Sequence, residues 1–124
     1  MGKRILCVED DRNWRLMVTT ALKDAGYEVV AVPGAAEALL QKNESGFSLI
    51  ILDLDLGGEN GLMLLKHLKR NHPAAPIILH TGLEHDENAI QQMLENGAHR
   101  YVRKGAIADL VAVVAGVLPN KLAN

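Results

Sequence analysis

Apolar residues along the chain alternate between short continuous runs and longer stretches at helical spacing. The short runs predict five strands, at 4–9, 27–31, 47–53, 76–80 and 100–103. After each run, apolar residues recur every three or four positions, which is the period of one helix face. The predicted helices begin near residues 11, 35, 61, 86 and 106, and they end at or just before Gly26, Asn43, Pro73, Gly97 and Pro119. Five strand-helix units with short connections predict a parallel sheet covered by helices on both faces.

The length of the chain decides between an open and a closed sheet. A closed eight-stranded barrel needs about 250 residues, whereas this chain has 124. We therefore expect an α/β fold, an open doubly wound sheet in a single domain over residues 1–124, with 119–124 as a tail or the start of a linker. Sheets of this kind bind ligands beyond the carboxyl ends of their strands.

Apolar residues at helical spacing give each predicted helix a face that is expected to pack on the sheet. The face expected to pack on the sheet in the first helix comprises Trp14, Met17, Val18, Ala21, Leu22 and Ala25. The corresponding face in the second helix comprises Ala36, Leu39 and Leu40.

Composition excludes several classes of function. With 13 basic and 15 acidic residues the net charge is -2, so no bulk field attracts nucleic acid or an anionic membrane. The single cysteine, Cys7, rules out a disulfide framework and lies in an apolar run, where we expect it to be buried. Because there is neither a membrane-spanning run nor a signal-peptide pattern, we expect a soluble cytoplasmic protein.

Polar side chains follow four of the five predicted strands at the point where each ends. The most prominent is Asp53, which ends the apolar run that begins at Leu49. The residues at the strand ends are Glu9, Asp10 and Asp11, then Asp53 and Asp55, then Thr81, then Lys104. Each alone has an ordinary explanation as a cap, a turn or a surface group. Their coincidence at one edge of one sheet indicates a site.

The chemistry of these groups indicates phosphoryl transfer. Carboxylates that meet in one cleft repel each other unless a cation neutralises them, and a small set of oxygen ligands open on one side suits Mg²⁺. Lys104 adds a compact positive charge and Thr81 a hydroxyl donor. Together they predict transfer of a phosphoryl group onto the Asp53 carboxylate, which is already ionised and needs no general base.

Four segments resemble response-regulator receiver domains, the phosphoacceptor domains of two-component signalling. They are residues 4–11 with the acidic pair, 53–61 around Asp53, Thr81 with Gly82, and 101–104 with Tyr101 and Lys104. The resemblance covers essentially the whole chain and implies the flavodoxin-like strand order 2-1-3-4-5, with five helices on two faces.

The resemblance also implies a mechanism. A histidine kinase or histidine phosphotransfer protein would phosphorylate Asp53, with Mg²⁺ held by Glu9, Asp10, Asp53 and the backbone carbonyl of Asp55. Thr81 would move toward the phosphate and Tyr101 would rotate, which changes the face formed by the fourth helix, fifth strand and fifth helix. A downstream protein or output domain would read that face, and homodimerisation through it is a further expectation. The domain itself would be a switch rather than an enzyme, with no direct contact to nucleic acid or membrane.

Three positions depart from the family pattern. Gly57 and Gly105 stand where proline is common, and a cis bond before Gly105 would cost about 3 kcal/mol, so we expect a trans bond or an altered loop there. Asp55 places a further acid beside the phosphoryl site. Our hypothesis is that Asp55 tightens metal binding or changes the lifetime of the phosphorylated state, which Asp55→Asn would test.

Two alternative functions remain open from the sequence. Asp53-Leu54-Asp55 also resembles the paired-aspartate motif of haloacid-dehalogenase-type phosphatases, although there the motif normally follows the first strand of a larger domain. The second alternative is a receiver-like binding module that is not phosphorylated. Turnover of small phosphomonoesters would indicate the phosphatase, and failure to label Asp53 would indicate the binding module.

Overall fold

The structure is a computed structural model that describes residues 3–41, 46–54, 61–82 and 87–119. Strands and helices alternate along the chain. The strands are β1 (Arg4–Val8), β2 (Glu28–Val32), β3 (Leu49–Leu52), β4 (Ile77–Thr81) and β5 (Ala98–Arg103). The helices are α1 (Arg12–Asp24), α2 (Ala35–Leu39), α3 (Gly61–Asn71), α4 (Glu87–Glu95) and α5 (Ile107–Val117). The predicted five strand-helix units are therefore confirmed.

All strand pairs are parallel, and the strands lie in the order β2-β1-β3-β4-β5. This order confirms the open, doubly wound sheet. The chain moves from β1 to β2 on one side and then crosses to β3 on the other, so strand order reverses between β1 and β3. Ligands of such sheets bind at this reversal, outside the carboxyl ends of the two strands.

The continuous apolar runs of the central strands arise because each strand is buried on both faces. In β3 all four side chains are buried, with Ile50 and Leu52 facing one core cluster and Leu49 and Ile51 facing the other. The first cluster includes buried residues of α2 and α3 and is contacted by α4; the second includes buried residues of α1 and α5. The sheet thus lies between two helical layers.

The buried face of α2 differs from the predicted one. Leu39 and Leu40 are 42% and 74% exposed, whereas Ala38 is fully buried in the first core cluster. The helix spans only Ala35–Leu39, and so short a segment does not establish a helical period. The small Ala38 side chain packs closely on the sheet, which leaves the two leucines directed to solvent. In α1, likewise, Met17 is 43% exposed although its spacing placed it inward.

Other expectations about burial are confirmed. Cys7 is buried and free, and burial, with the nearby Glu9 and Asp53 carboxylates, raises the pKa of its thiol to about 12.

No peptide bond in the described part of the chain is cis, so the bond before Gly105 is trans, as expected. Among the described helices, none is long and apolar enough to cross a bilayer.

Leu68 and Leu40 provide a matched test of which leucines are buried in the core. Leu68→Ala removes a fully buried side chain of α3, and we expect the free energy of unfolding to fall by about 2–5 kcal/mol. Leu40→Ala removes an exposed side chain and should change it by less than about 0.5 kcal/mol. Urea denaturation of both variants measures the difference. A loss at Leu40 as large as at Leu68 would contradict the outward orientation of that leucine.

Candidate functional site

Three carboxylates meet at the point where strand order reverses. Glu9 and Asp10 follow β1, Asp53 follows β3, and one oxygen of each lies within 4.8 Å of the others. Glu9 and Asp53 are 2% and 1% exposed, whereas Asp10 is exposed. The cluster is therefore closed on the protein side and open to solvent through Asp10.

Backbone hydrogen bonds fix where these acids leave the sheet. The Asp53 amide donates to the Val8 carbonyl at 3.0 Å, and the Glu9 amide donates to the Val32 carbonyl at 3.0 Å. Each bond extends the parallel pairing by one residue past the end of a regular strand. The two acids therefore take their positions from the register of β1 with its two neighbours.

Lys104 brings a positive charge into this cluster from the end of β5. Its Nζ lies 2.7 Å from Glu9 Oε1 and 3.2 Å from Asp53 Oδ2, and its side chain is 9% exposed. The Lys104 amide donates to the Thr81 carbonyl at 2.8 Å, so its backbone is held by the end of β4. The aliphatic part of the side chain passes over Gly82, where an added Cβ would lie 3.5 Å from Lys104 Cδ.

Charge and burial oppose each other at these groups. Burial raises the pKa of Glu9 to about 7, and a hydrogen bond shared with Asp53 adds to the rise, although Lys104 acts in the opposite direction. Burial alone would lower the pKa of Lys104, but the two carboxylates outweigh it and hold that pKa above its usual value. Without further positive charge, Glu9 therefore becomes a carboxylate only as the pH rises through about 7, whereas Lys104 stays charged.

The donor set fits a hard divalent cation. Three carboxylate oxygens lie close enough to share one ion, and a single ammonium does not neutralise three carboxylates. Oxygen donors with one side open to water match the preference of Mg²⁺. Asp55, whose backbone carbonyl the family resemblance adds to this set, lies outside the described residues, as does Gly57.

The remaining predicted residues lie on β4 and β5. Thr81 is the last residue of β4 and is fully buried, at the same edge of the sheet as Asp53. Tyr101 lies on β5, is partly buried and packs against the first core cluster. In the sheet, Tyr101 pairs with Leu79, two residues before Thr81. Thr81 and Tyr101 therefore lie on neighbouring strands, two residue pairs apart.

Asp11 and Arg15 support the acidic loop in ways that the sequence analysis missed. Asp11 caps α1 by accepting a hydrogen bond from the Trp14 amide at 2.9 Å, and its own amide donates to Glu9 Oε2 at 3.1 Å. Arg15 Nη1 donates to the carbonyls of Glu9 and Asp10 at 2.9 and 3.3 Å. The only available signal for Asp11 was its position immediately before an apolar helix, which is typical of a cap.

Two aromatic rings border the site on the α1 side of the sheet. Lys104 Nζ lies 5.4 Å from the centroid of the Trp14 ring, and Trp14 contacts His80 edge to face at 5.5 Å and 81°. His80 is 2% exposed. Burial, together with the charge of Lys104, lowers the pKa of His80 to about 4, so its imidazole is neutral near pH 7.

Comparison with known proteins identifies the family. Residues 5–115 match the family model described as the response regulator receiver domain. The chain is 35% identical over 123 residues to the response regulator protein FleR of Pseudomonas aeruginosa, and 35% identical over 121 residues to the phosphate regulon transcriptional regulatory protein PhoB of Escherichia coli. These alignments cover 96% and 95% of this chain but only 26% and 52% of the two relatives. The chain therefore spans about half, or less, of the length of these relatives.

Solved structures give the same result. The chemotaxis protein CheY4 of Vibrio cholerae superposes with a TM-score of 0.86 at 27% identity, covering 95% of this chain and all of that one. A Burkholderia pseudomallei response regulator, crystallised with a phosphorylated aspartic acid, a calcium ion and citrate, superposes with a TM-score of 0.84 at 27% identity, covering 95% of this chain and 68% of that one. The chain belongs to the response regulator receiver domain family of two-component signalling.

The shifted pKa of Glu9 predicts how the stability of the metal-free protein depends on pH. The folded state keeps a proton on Glu9 up to about pH 7, whereas the unfolded state releases it near pH 4.5. The folded state binds more protons between these values, so the contribution of Glu9 to stability is complete below pH 4.5 and is lost as the pH rises through 7. Urea denaturation in the presence of a chelator measures it.

Glu9→Gln should remove this fall in the free energy of unfolding between pH 4.5 and 7. Glu37→Gln, at an exposed position on α2, should retain it. The raised pKa of Glu9 would be contradicted if the free energy of unfolding of the wild-type protein rose between pH 4.5 and 7. It would also be contradicted if Glu9→Gln showed the same pH dependence as the wild type.

Proposed function

We propose that this receiver domain is a Mg²⁺-dependent switch that accepts a phosphoryl group on Asp53 from a histidine kinase or a histidine phosphotransfer protein. One observation carries the proposal: the Lys104 ammonium lies 3.2 Å from Asp53 Oδ2 inside a buried cluster of acids. A structural aspartate would need only the one cation, whereas here three carboxylates share a single ammonium. The Burkholderia pseudomallei relative with its phosphorylated aspartic acid supports the same chemistry here.

In the proposed reaction, a carboxylate oxygen of Asp53 attacks phosphorus of a phosphohistidine. A phosphorus–oxygen bond to Asp53 forms, the phosphorus–nitrogen bond breaks, and the departing imidazole takes a proton from solvent. Lys104, already within hydrogen-bonding distance of Asp53, is placed to bind an oxygen of the transferred group. The reaction needs no general base, because Asp53 reacts as the carboxylate.

The proposed magnesium ligands are the carboxylates of Glu9, Asp10 and Asp53. When bound, Mg²⁺ would supply positive charge that lowers repulsion between these acids and the incoming phosphoryl oxygens. Arg15 and Asp11 hold the loop that carries the first two ligands through its backbone and through Glu9 Oε2. The backbone carbonyl of Asp55 completes the proposed set by family resemblance.

The proposed switch couples Asp53 to the α4-β5-α5 face. Phosphate on Asp53 would attract the Thr81 hydroxyl, and the space it leaves would admit the Tyr101 ring. No α4 residue is fully buried, and Met93 and Leu94 contact the core only partly, so α4 can shift with little loss of packing. This is a population shift driven by one new charged group.

A downstream protein or an output domain is the proposed reader of this face, and homodimerisation through it is a second proposed outcome. FleR and PhoB are longer than this chain, and PhoB is by name a transcriptional regulatory protein. Contact with nucleic acid would then belong to another domain. We propose a cytoplasmic location, where histidine kinases expose their phosphorylated histidine.

Intact-mass measurement after incubation with acetyl phosphate and Mg²⁺ tests the phosphoacceptor. We expect a gain of one phosphoryl group in the wild-type protein, because Asp53 pairs with Lys104 and occupies the acceptor position of the family. The gain should be absent in Asp53→Asn and absent after removal of Mg²⁺. Asp24→Asn, at an exposed position on α1, is the matched control and should be labelled like the wild type.

The same experiment distinguishes the alternative functions. Continuous release of phosphate from small phosphomonoesters would indicate a phosphatase of the haloacid-dehalogenase type. No label with acetyl phosphate, or with a phosphorylated histidine phosphotransfer protein, would indicate a binding module that is not phosphorylated. The strand order and the family match favour the receiver over the phosphatase.

Thr81→Val tests the switch separately from the chemistry. Valine preserves the shape of this fully buried side chain but removes the hydroxyl that would contact the phosphate. We expect Asp53 still to be labelled, while the changes that phosphorylation causes in the NMR signals of Tyr101 and α4 fall to less than about half of their wild-type size. Full-size changes in Thr81→Val would contradict a role for the hydroxyl in the switch.

A further inference from the structure

The Trp14 ring lies next to the Lys104 ammonium, which also contacts two carboxylates. Glu9 and Asp53 take two hydrogen-bonding directions of Nζ, at 2.7 and 3.2 Å. The Trp14 ring lies on another side, with its centroid 5.4 Å from Nζ. Tryptophan is the aromatic side chain that attracts cations most strongly, and 5.4 Å is within the range of this interaction. The Lys104 side chain as a whole is 9% exposed, so most of it is shielded from solvent.

Trp14 is itself held in place from two directions. Its amide donates to Asp11, the N-cap of α1, at 2.9 Å, which fixes its backbone relative to the acidic loop. Its ring meets the buried His80 edge to face at 5.5 Å. Asp11, in turn, donates its amide to Glu9. The ring, the acidic loop and the lysine therefore form one connected unit.

We propose that Trp14 is a positioning residue for Lys104: its ring excludes water from the ammonium and keeps Nζ directed at Asp53, so that phosphoryl transfer begins from an organised site. If water replaced the Trp14 ring, the long and flexible Lys104 side chain could move its ammonium away from the carboxylates. The effect of Trp14 on rate rests on the phosphoacceptor function proposed above, whereas its effect on Lys104 does not.

Three substitutions distinguish the effect of the aromatic ring from the effect of side-chain size and from a general effect on folding. Trp14→Phe keeps an aromatic face, Trp14→Leu keeps apolar bulk only, and Leu16→Ala alters an exposed position on the same helix. The initial rate of labelling by acetyl phosphate should fall about fivefold to tenfold in Trp14→Leu, remain within about twofold in Trp14→Phe, and not change in Leu16→Ala. Thermal melts identify any variant that fails to fold.

A second measurement reports on Lys104 without phosphorylation. We expect the ammonium of Lys104 in the wild-type protein to exchange slowly enough to give its own proton–nitrogen NMR signal, because it contacts two carboxylates and the Trp14 ring. In Trp14→Leu that signal should broaden or disappear, and in Trp14→Phe it should persist. The signal is assigned by its absence in Lys104→Arg.

The outcomes distinguish the two proposals. If the wild-type protein is labelled and Trp14→Leu is labelled equally fast with an unchanged ammonium signal, Trp14 has no positioning role, although the phosphoacceptor function stands. If the wild-type protein is not labelled at all, the phosphoacceptor function fails, and the ammonium signal alone decides whether Trp14 holds Lys104. An equal loss of rate in Trp14→Leu and Trp14→Phe would overturn the role of the aromatic face.

Discussion

The ion pairs of Lys104 with Glu9 and Asp53 are the interaction on which the rest of the site depends. Two carboxylates that are almost completely buried would repel each other and would be costly to desolvate without a cation between them. The ammonium lies 2.7 and 3.2 Å from them and joins the ends of three strands, β1, β3 and β5. The single ammonium therefore stabilises the site without neutralising its three carboxylates, which is why these oxygens could accommodate a divalent cation.

The sheet makes this geometry possible because its register continues into the site. The amides of Glu9, Asp53 and Lys104 each bond to the backbone of a neighbouring strand just beyond the regular pairing. Since both faces of the central strands are packed against helices, these strand ends have little freedom to move. The rigid ends contrast with α4, which has no fully buried residue and lies beside the strand that carries Tyr101. This domain thus combines fixed strand ends at the acidic cluster with a loosely packed α4.

The contacts that hold the acidic loop and Lys104 in place could not be predicted from the sequence. Asp11 was one of three consecutive acids, and nothing in its residue type distinguished a helix cap from a metal ligand. Arg15 and Trp14 occupy ordinary positions of an amphipathic helix, and their contacts with the Glu9 carbonyl and the Lys104 ammonium depend on the distance between α1 and the sheet. The predicted buried face of α2 was also wrong, because five residues are too few to define a helical period. The small Ala38 side chain fits against the sheet where the larger Leu39 does not.

The sequence by itself determined the five strand-helix units, the open parallel sheet and the set of polar groups at the strand ends, because these follow from apolar periodicity and from the rule that parallel strands end at one edge. Only the tertiary structure decided which of those groups meet, at what distance, and which residues of α1 support them. The reason is that contacts such as Lys104 with Glu9 join residues far apart along the chain. Their separation is set by packing against the helices and by strand register, which no local pattern encodes.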